Sequence, residues 1–266
     1  MCGRRPMTGR LVVRSFSFMA ETTTSHGERV AIITGASKGL GLALARALAT
    51  RGWRLVLDAR GGDSLVRVGA ELGRHTTVVT ITGDVTDEEH RTRLVAEAAR
   101  LGRLELLVNN ASTLGPSPQP ALVDYPLSEL RSVYEVNLVA PLRLAQLALP
   151  LLVASGGQVV NVTSDAAVEP YAGWGGYGSS KAALEQLSNV LAAEHPEVRV
   201  LWVDPGDMRT DLHQAAFPGE DISDRPPPEA SVPGLLALLG RETPSGRYRI
   251  EAVGEDAAAA GELVGT

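Results

Sequence analysis

Short apolar runs alternate with helical patterns along most of this chain, and that alternation limits its fold more than any other sequence feature. The runs are β-branched and nearly uncharged, which is typical of strands buried on both faces. Strands are predicted at residues 30–34, 55–57, 77–81, 104–108, 158–163 and 198–203, and helices at 40–50, from a capping box at 86–89 to 101, within 127–152 and at 179–193. The pattern indicates an α/β fold, a single-domain doubly wound parallel sheet in a Rossmann-like three-layer sandwich.

The alternation sets the expected domain boundaries. Residues 29–253 are predicted to form one Rossmann-like domain, and 254–266 a frayed tail. Residues 1–28 carry four arginines before the first acid, Glu21. We interpret them as a disordered extension or as residues upstream of a true initiator at Met19, with a targeting segment as the alternative. Residues 208–229 are rich in Pro, Asp and Gly and predict a long loop, followed by a helix at 232–239 and a strand at 247–252.

Charge and composition exclude several classes of function. The formal net charge of −6 argues against a nucleic-acid-binding surface. Cys2 is the only cysteine, which excludes a disulfide framework, and the five histidines lack the spacing of metal ligands, so no metal is expected. No uninterrupted apolar run approaches the ~18 residues of a membrane helix. We therefore expect a cytoplasmic protein that binds a small molecule and neither a membrane nor nucleic acid.

The first predicted strand runs directly into a glycine-rich segment, Thr34-Gly-Ala-Ser-Lys-Gly-Leu-Gly41, where the next helix begins. Glycines let the backbone approach a phosphate closely, and free N–H groups at a helix N-terminus carry partial positive charge. This position in the chain favours a dinucleotide pyrophosphate as the ligand, and a glycine turn without a ligand is the alternative. A P-loop is excluded because no Gly-Lys-Ser/Thr follows the glycines.

The spacing Gly-x-x-x-Gly-x-Gly resembles that of the short-chain dehydrogenase/reductase family. Further family motifs follow later strands: Asp84-Val85, Asn109-Asn110-Ala111 and Asp204-Pro205-Gly206. The chain departs from the family at Ser112, usually Gly, and at Asp204, usually Asn. The resemblance implies cofactor contacts from Gly35, Ser37, Lys38, Gly39, Leu40, Gly41, Arg60, Asp84, Val85, Asn110, Tyr177, Lys181, Pro205, Gly206 and Thr210.

The end of the second strand indicates which dinucleotide is bound. NAD-using members of the family carry an acid at the position that is Ala59 here. Arg60 follows, and its guanidinium can bind a 2′-phosphate bidentately, with Lys38 as a second positive charge. NADP(H) is therefore favoured over NAD(H). Asp58 keeps NAD open, since a shift of one residue would place its carboxylate at the NAD position, although strand alternation should point it away from the ribose.

Tyr177 and Lys181 stand four residues apart, and therefore on one face of a helix. Only two of the chain's 25 basic residues are lysines, which makes the pair informative. Free tyrosine has a pKa of about 10, and we expect the neighbouring ammonium to lower it so that Tyr177 serves as a general acid/base. The resemblance implies that Ser164 polarises the substrate carbonyl and that the helix backbone at Asn137 holds a water linking Lys181 to solvent.

Together Asn137, Ser164, Tyr177 and Lys181 predict an NADP(H)-dependent oxidoreductase that transfers hydride between nicotinamide and a carbonyl or secondary alcohol. The alternatives are an NAD-dependent alcohol dehydrogenase and a non-catalytic dinucleotide-sensing protein. The substrate pocket is expected between residues 166–176 and 208–225, where Tyr171 and Trp174 either stack on a ring or pack internally. The resemblance implies a homodimer or homotetramer.

Overall fold

The structure, a computed structural model, describes residues 28–240 and 243–250. The predicted extension up to residue 27 and the predicted tail at 254–266 lie outside the described residues. The strands are β1 (Arg29–Ile33), β2 (Arg54–Ala59), β3 (Val78–Thr82), β4 (Arg103–Asn109), β5 (Gln158–Val162), β6 (Arg199–Asp204) and β7 (Gly246–Arg249). The helices are α1 (Gly39–Ala49), α2 (Gly62–Leu72), α3 (Glu88–Leu101), α4 (Leu127–Tyr134), α5 (Ala140–Ser155), α6 (Gly175–Glu194), α7 (Asp211–Ala216) and α8 (Val232–Leu238).

All seven strands pair in parallel in one sheet, in the order β3-β2-β1-β4-β5-β6-β7. The chain moves outward from β1 to β3 and then crosses back to β4 on the other side of β1. In such sheets a crevice forms at the carboxyl ends of the two strands where the winding reverses, here β1 and β4. The predicted fold class is confirmed, and the glycine-rich turn after β1 lies at this crevice.

Two apolar cores lie on opposite faces of the sheet. Ile33 of β1 belongs to the core on one face of the sheet, together with α1, α2 and α8. The residue before it, Ile32, belongs to the core on the other face, together with α3 and α5. Successive side chains of a strand point to opposite faces, so both sets are buried. This is why the strands appear in the sequence as continuous apolar runs.

Helix α3 begins differently from its prediction. Asp87 is the N-cap, with a side-chain oxygen that accepts the N–H of His90 at 2.9 Å. Thr86, the predicted cap, instead donates its N–H and its hydroxyl to Asp84, at 2.9 and 2.8 Å. The predicted capping box is therefore wrong, because Thr86 forms its hydrogen bonds with Asp84, in the turn that follows β3, and does not cap the helix.

Helix α6 begins at Gly175, four residues before its predicted start. Glycine is a poor helix former, and three glycines hid this first turn from the periodicity argument. They are required for packing: a Cβ at Gly176 would lie 2.3 Å from the Tyr125 ring, and one at Gly178 would lie 2.4 Å from the Ala166 carbonyl. The glycines thus let the start of α6 press against the loops around it.

The predicted long loop at 208–229 contains the short helix α7. Thr210 caps it by accepting the N–H of His213 at 3.2 Å, and Asp211 in its first turn suits the positive end of the helix dipole. The loop prediction is wrong for these residues because six residues are too few for a helical period to show. The predicted last strand is observed at Gly246–Arg249, and residues from 251 onward are outside the described part of the chain.

Helices α4 and α5 are joined by a π-helical turn, Glu135–Val139, into one continuous helix. By length and composition alone, Leu127–Ser155 is long and apolar enough to cross a membrane, with a mean hydropathy of 1.7. Its Leu144, Ala148 and Leu152 are buried in the core beneath the sheet. A core helix of a globular protein passes the same test of length and composition.

Candidate active site

A cleft of about 680 Å³ runs along the carboxyl ends of the strands, a volume in the range of small-molecule sites. Of the residues predicted to form the site, only Gly41 and Asn137 do not line it. Those that line it are Gly35, Ser37, Lys38, Gly39, Leu40, Arg60, Asp84, Val85, Asn110, Ser164, Tyr177, Lys181, Pro205, Gly206 and Thr210. Residues as far apart in sequence as Gly35 and Thr210 are thereby brought to one surface.

The glycine turn has the geometry of a phosphate cradle. Gly35 and Gly39 have positive φ angles of +64° and +55°, which glycine adopts without steric cost. Lys38 is the N-cap of α1, but its side chain does not cap the first N–H groups. These donors, together with the positive end of the helix dipole, suit a pyrophosphate. The residues present therefore fit a dinucleotide.

Asp58 supports this turn from inside the protein. One carboxylate oxygen accepts the N–H of Gly35 at 2.8 Å, and the other lies 3.0 Å from Nε2 of His90. Asp58 is only 1% exposed. Because both oxygens have protein partners, the contacts give Asp58 a structural role beneath the turn, in line with the expected orientation away from the ribose.

Gly41 lies behind the cleft and packs α1 against the end of β4. A Cβ there would lie 2.6 Å from Nδ2 of Asn110 and 2.7 Å from the Gly35 carbonyl. Asn110 holds the turn by donating to the carbonyls of Thr34 and Gly35, at 2.8 and 3.2 Å. Gly41 and Asn110 together set the shape of the cradle.

We expect Gly41→Ala to lower the free energy of unfolding by about 1–3 kcal/mol, the usual cost of overpacking, and to weaken dinucleotide binding. Urea denaturation and nucleotide titration measure the two effects. Gly62→Ala is the matched control, since its Cβ would meet Thr82 at an ordinary 3.4 Å. Equal stabilities of the two variants would contradict this account.

The two predicted 2′-phosphate cations differ in their surroundings. Arg60 is exposed at the cleft and forms no ion pair with any residue in 28–240 or 243–250. Lys38 is paired with Asp211 of α7, with 2.6 Å between Nζ and Oδ2. Asp84, near Arg60, uses one oxygen to accept the two hydrogen bonds from Thr86. Of the two, Arg60 is thus the cation that forms no salt bridge within the described ranges, and its charge helps to lower the pKa of Asp84.

Helix α6 brings Tyr177 and Lys181 together at the other end of the cleft. Both residues are buried, and Nζ of Lys181 lies 5.6 Å from the centre of the tyrosine ring. The ammonium donates to the carbonyl of Val162 at the end of β5, at 2.7 Å. The hydroxyls of Ser112 and Ser164 lie close enough to the Tyr177 hydroxyl to lower its pKa. Three of the four predicted catalytic residues therefore meet in one place.

The electrostatics of this pair differ from the sequence expectation. Burial raises the pKa of Tyr177 above its usual value, and the nearby carboxylate of Asp204 raises it further, while the neighbouring hydroxyls of Ser112 and Ser164 act in the opposite direction. Burial lowers the pKa of Lys181 to about 8, opposed by the charge of Glu185. The expected lowering of the tyrosine pKa by the lysine is wrong here, because desolvation has the largest influence on both groups.

Asn137 lies in the π-helical turn and is completely buried. Its Nδ2 donates to the carbonyl of Thr113 at 2.9 Å and to the hydroxyl of Ser180 at 3.0 Å, while its Oδ1 accepts the N–H of Thr113. The side chain thus ties the loop after β4 to α6, next to Lys181. A π-helical turn within an α-helix is frequent at functional sites.

The sequence argument missed two polar residues of the site. Ser112, so far only a departure from the family pattern, lies beside the Tyr177 hydroxyl and donates to Oδ1 of Asn137 at 3.1 Å. Asp165 accepts the hydroxyls of Ser164 and Tyr171, each at 3.0 Å. Its position directly after Ser164, at the carboxyl end of β5, was the signal that would have identified it.

The sequence matches the short chain dehydrogenase family over residues 29–221. Sepiapterin reductase of Mus musculus is 38% identical over 204 residues, which cover 71% of this chain and 78% of the relative. A solved alcohol dehydrogenase from the archaeon Thermococcus sibiricus, complexed with 5-hydroxy-NADP, is 29% identical with a TM-score of 0.76, covering 85% and 97% of the two chains. A 7α-hydroxysteroid dehydrogenase complexed with NADH is 28% identical with a TM-score of 0.76, covering 85% and 93%.

Proposed function

The chain belongs to the short-chain dehydrogenase family of oxidoreductases, which bind a nicotinamide dinucleotide, and from this premise we propose that it reduces a carbonyl compound with NADPH as the preferred cofactor, or oxidises the corresponding secondary alcohol. The observation that carries the proposal is the buried Tyr177–Lys181 pair beside Ser164, in the same cleft as the glycine turn. A dinucleotide-sensing protein would not need this pair.

Each side chain has a role that follows from its contacts. When bound, the nicotinamide supplies a hydride to the carbonyl carbon. Tyr177 donates its phenolic proton to the carbonyl oxygen, and burial keeps that proton in place at neutral pH. The Lys181 ammonium then stabilises the phenolate that remains, and the neighbouring Ser164 and Ser112 hydroxyls favour the same charged form of Tyr177. Through its side-chain hydrogen bonds, Asn137 fixes the position of the loop after β4 against α6.

Arg60 supports the preference for NADPH. It lies exposed at the cleft just after β2, with no carboxylate paired to it among the described residues. A guanidinium binds a phosphate bidentately, and no acid occupies position 59 to repel it. The alternative of an NAD-dependent alcohol dehydrogenase uses the same catalytic residues, so only measured cofactor use separates the two.

The experiment is to follow NADPH and NADH oxidation at 340 nm with a panel of ketones, aldehydes and diketones. We expect turnover with a higher kcat/KM for NADPH than for NADH. Higher efficiency with NADH would favour the NAD-dependent alternative. Tight nucleotide binding without turnover of any carbonyl would favour the sensor.

The pKa of Lys181 predicts a pH dependence. Because burial lowers it to about 8, the ammonium is present below that pH and is lost above it. We expect kcat/KM for carbonyl reduction to fall about tenfold per pH unit above pH ~8. The Lys181→Arg variant keeps its charge and should lose the decline, at lower activity. A wild-type profile that is flat between pH 7 and 10 would contradict the prediction.

We also propose that the protein is a homodimer or homotetramer. Val139, Val153 and Val190, on the outer faces of the long helix and of α6, are each about 40% exposed. Exposed apolar side chains on neighbouring helices favour association. Size-exclusion chromatography with light scattering should give at least twice the monomer mass, and a monomer at micromolar concentration would contradict this proposal.

A further inference from the structure

Aromatic rings cluster beside the predicted acid, and those of Trp174, Tyr177 and His213 form one wall of the cleft. The Trp174 ring centre lies 5.9 Å from that of Tyr177, 6.0 Å from Phe217 and 6.2 Å from Tyr171. The His213 ring packs against that of Phe217, with the ring centres 4.9 Å apart and the planes tilted by 38°. None of these residues except Tyr177 is fully buried, and Trp174 and His213 line the cleft. Such a wall favours a planar, apolar body in the substrate.

The same part of the cleft is lined by carboxylates. Asp165 accepts hydrogen bonds from the hydroxyls of Ser164 and Tyr171, and it forms no salt bridge within the described ranges 28–240 and 243–250. Asp204 is 3% exposed, and its Oδ2 has no hydrogen-bond partner in the described part of the chain. Asp207 lies on the rim. The substrate end thus presents negative charge.

Nearby cations compensate two of these carboxylates but not the third. Arg247 and Arg249 approach Oδ2 of Asp204 at 3.8 and 3.9 Å, and Arg225 approaches Asp207 at 3.6 Å. Burial lowers the pKa of His213, so its imidazole adds little positive charge near neutral pH. Asp165 is therefore the one of the three whose hydrogen-bond partners, among the residues that the structure describes, are neutral hydroxyls, and the His213 imidazole is its nearby titratable group.

Resting on the proposed function, we propose that the substrate is an aromatic carbonyl compound with a positively charged nitrogen group, which the carboxylate of Asp165 binds while Trp174 packs against the ring. A carboxylate that lines a partly buried site and is not neutralised by a salt bridge attracts a cation more strongly than one in water. The aromatic faces attract the same charge. A neutral compound of equal shape would gain the packing against Trp174 but not the attraction to the carboxylate.

Two ketones of nearly equal shape test this, para-(trimethylammoniomethyl)acetophenone and its neutral carbon analogue, para-neopentylacetophenone. We expect wild-type kcat/KM to favour the cation by about tenfold or more, and Asp165→Asn to reduce that preference at least about fivefold. The intrinsic reactivities of the ketones cancel when the ratio is compared between variants. Added salt should weaken the wild-type preference.

Asp124→Asn is the control, because Asp124 is exposed and lies outside the cleft, and it should leave the preference unchanged. An equal preference in wild type and Asp165→Asn would overturn the inference. Calorimetric titration of the NADP⁺-loaded protein with both ketones separates the two proposals. Cation-selective binding that Asp165→Asn removes supports this inference even if the reductase proposal fails for lack of turnover. Equal affinities for the two ketones overturn this inference and leave the reductase proposal standing.

Discussion

Replacing Tyr177 with phenylalanine is expected to lower kcat about 10³-fold while nucleotide affinity changes less than about threefold. General acid catalysis by a positioned side chain contributes about 10²–10⁴-fold, and only the hydroxyl is removed. The ring stays in its contact with Trp174, at 5.9 Å, so the wall of the cleft remains. Single-turnover kinetics and fluorescence titration of NADPH measure the two quantities separately.

Tyr171→Phe is the matched control for this experiment. Tyr171 contacts Trp174 in the same aromatic cluster but does not line the cleft and is 46% exposed, and its hydroxyl donates to Asp165 rather than to Ser164. We expect its kcat to stay within about threefold of wild type, since no proton of the reaction passes through it. Equal losses in the two variants would remove Tyr177 from its role as the acid.

Replacing Arg60 with aspartate is expected to change the preference for NADPH over NADH by about 100-fold, which corresponds to about 2.7 kcal/mol. The substitution exchanges a guanidinium that attracts a 2′-phosphate for a carboxylate that repels it and accepts a ribose hydroxyl instead. Arg60 is exposed, so screening keeps the effect well below the value for a buried pair. The ratio of kcat/KM for the two cofactors is the measurement.

Arg67→Asp is the control for the charge change, since Arg67 is exposed on α2 and does not line the cleft. Its cofactor ratio should stay within about twofold of wild type. A ratio unchanged by Arg60→Asp would leave Lys38 as the candidate phosphate contact. To bind the phosphate, Lys38 would first have to break its ion pair with Asp211.

Predictions from short-range pattern were the most accurate. The alternating apolar runs indicated the parallel sheet, and the strand after which each motif occurs placed the motifs at one edge. The position of Tyr177 and Lys181 on one helical face also followed from spacing alone. Errors occurred where a local signal was weak, as at the glycines that start α6, or where a second partner competed for a residue, as Asp84 does for Thr86.

The sequence by itself therefore determined the fold class, the family and a large part of the cleft lining, because backbone geometry sets which side chains of a strand or helix share a face. Only the tertiary structure decided the electrostatics of the site. The pKa of Tyr177 depends on burial and on Ser112 and Asp204, which are distant from it in sequence. The pairing of Lys38 with Asp211 likewise joins residues 173 positions apart. Desolvation and charge interactions depend on distances in space, which no spacing along the chain specifies.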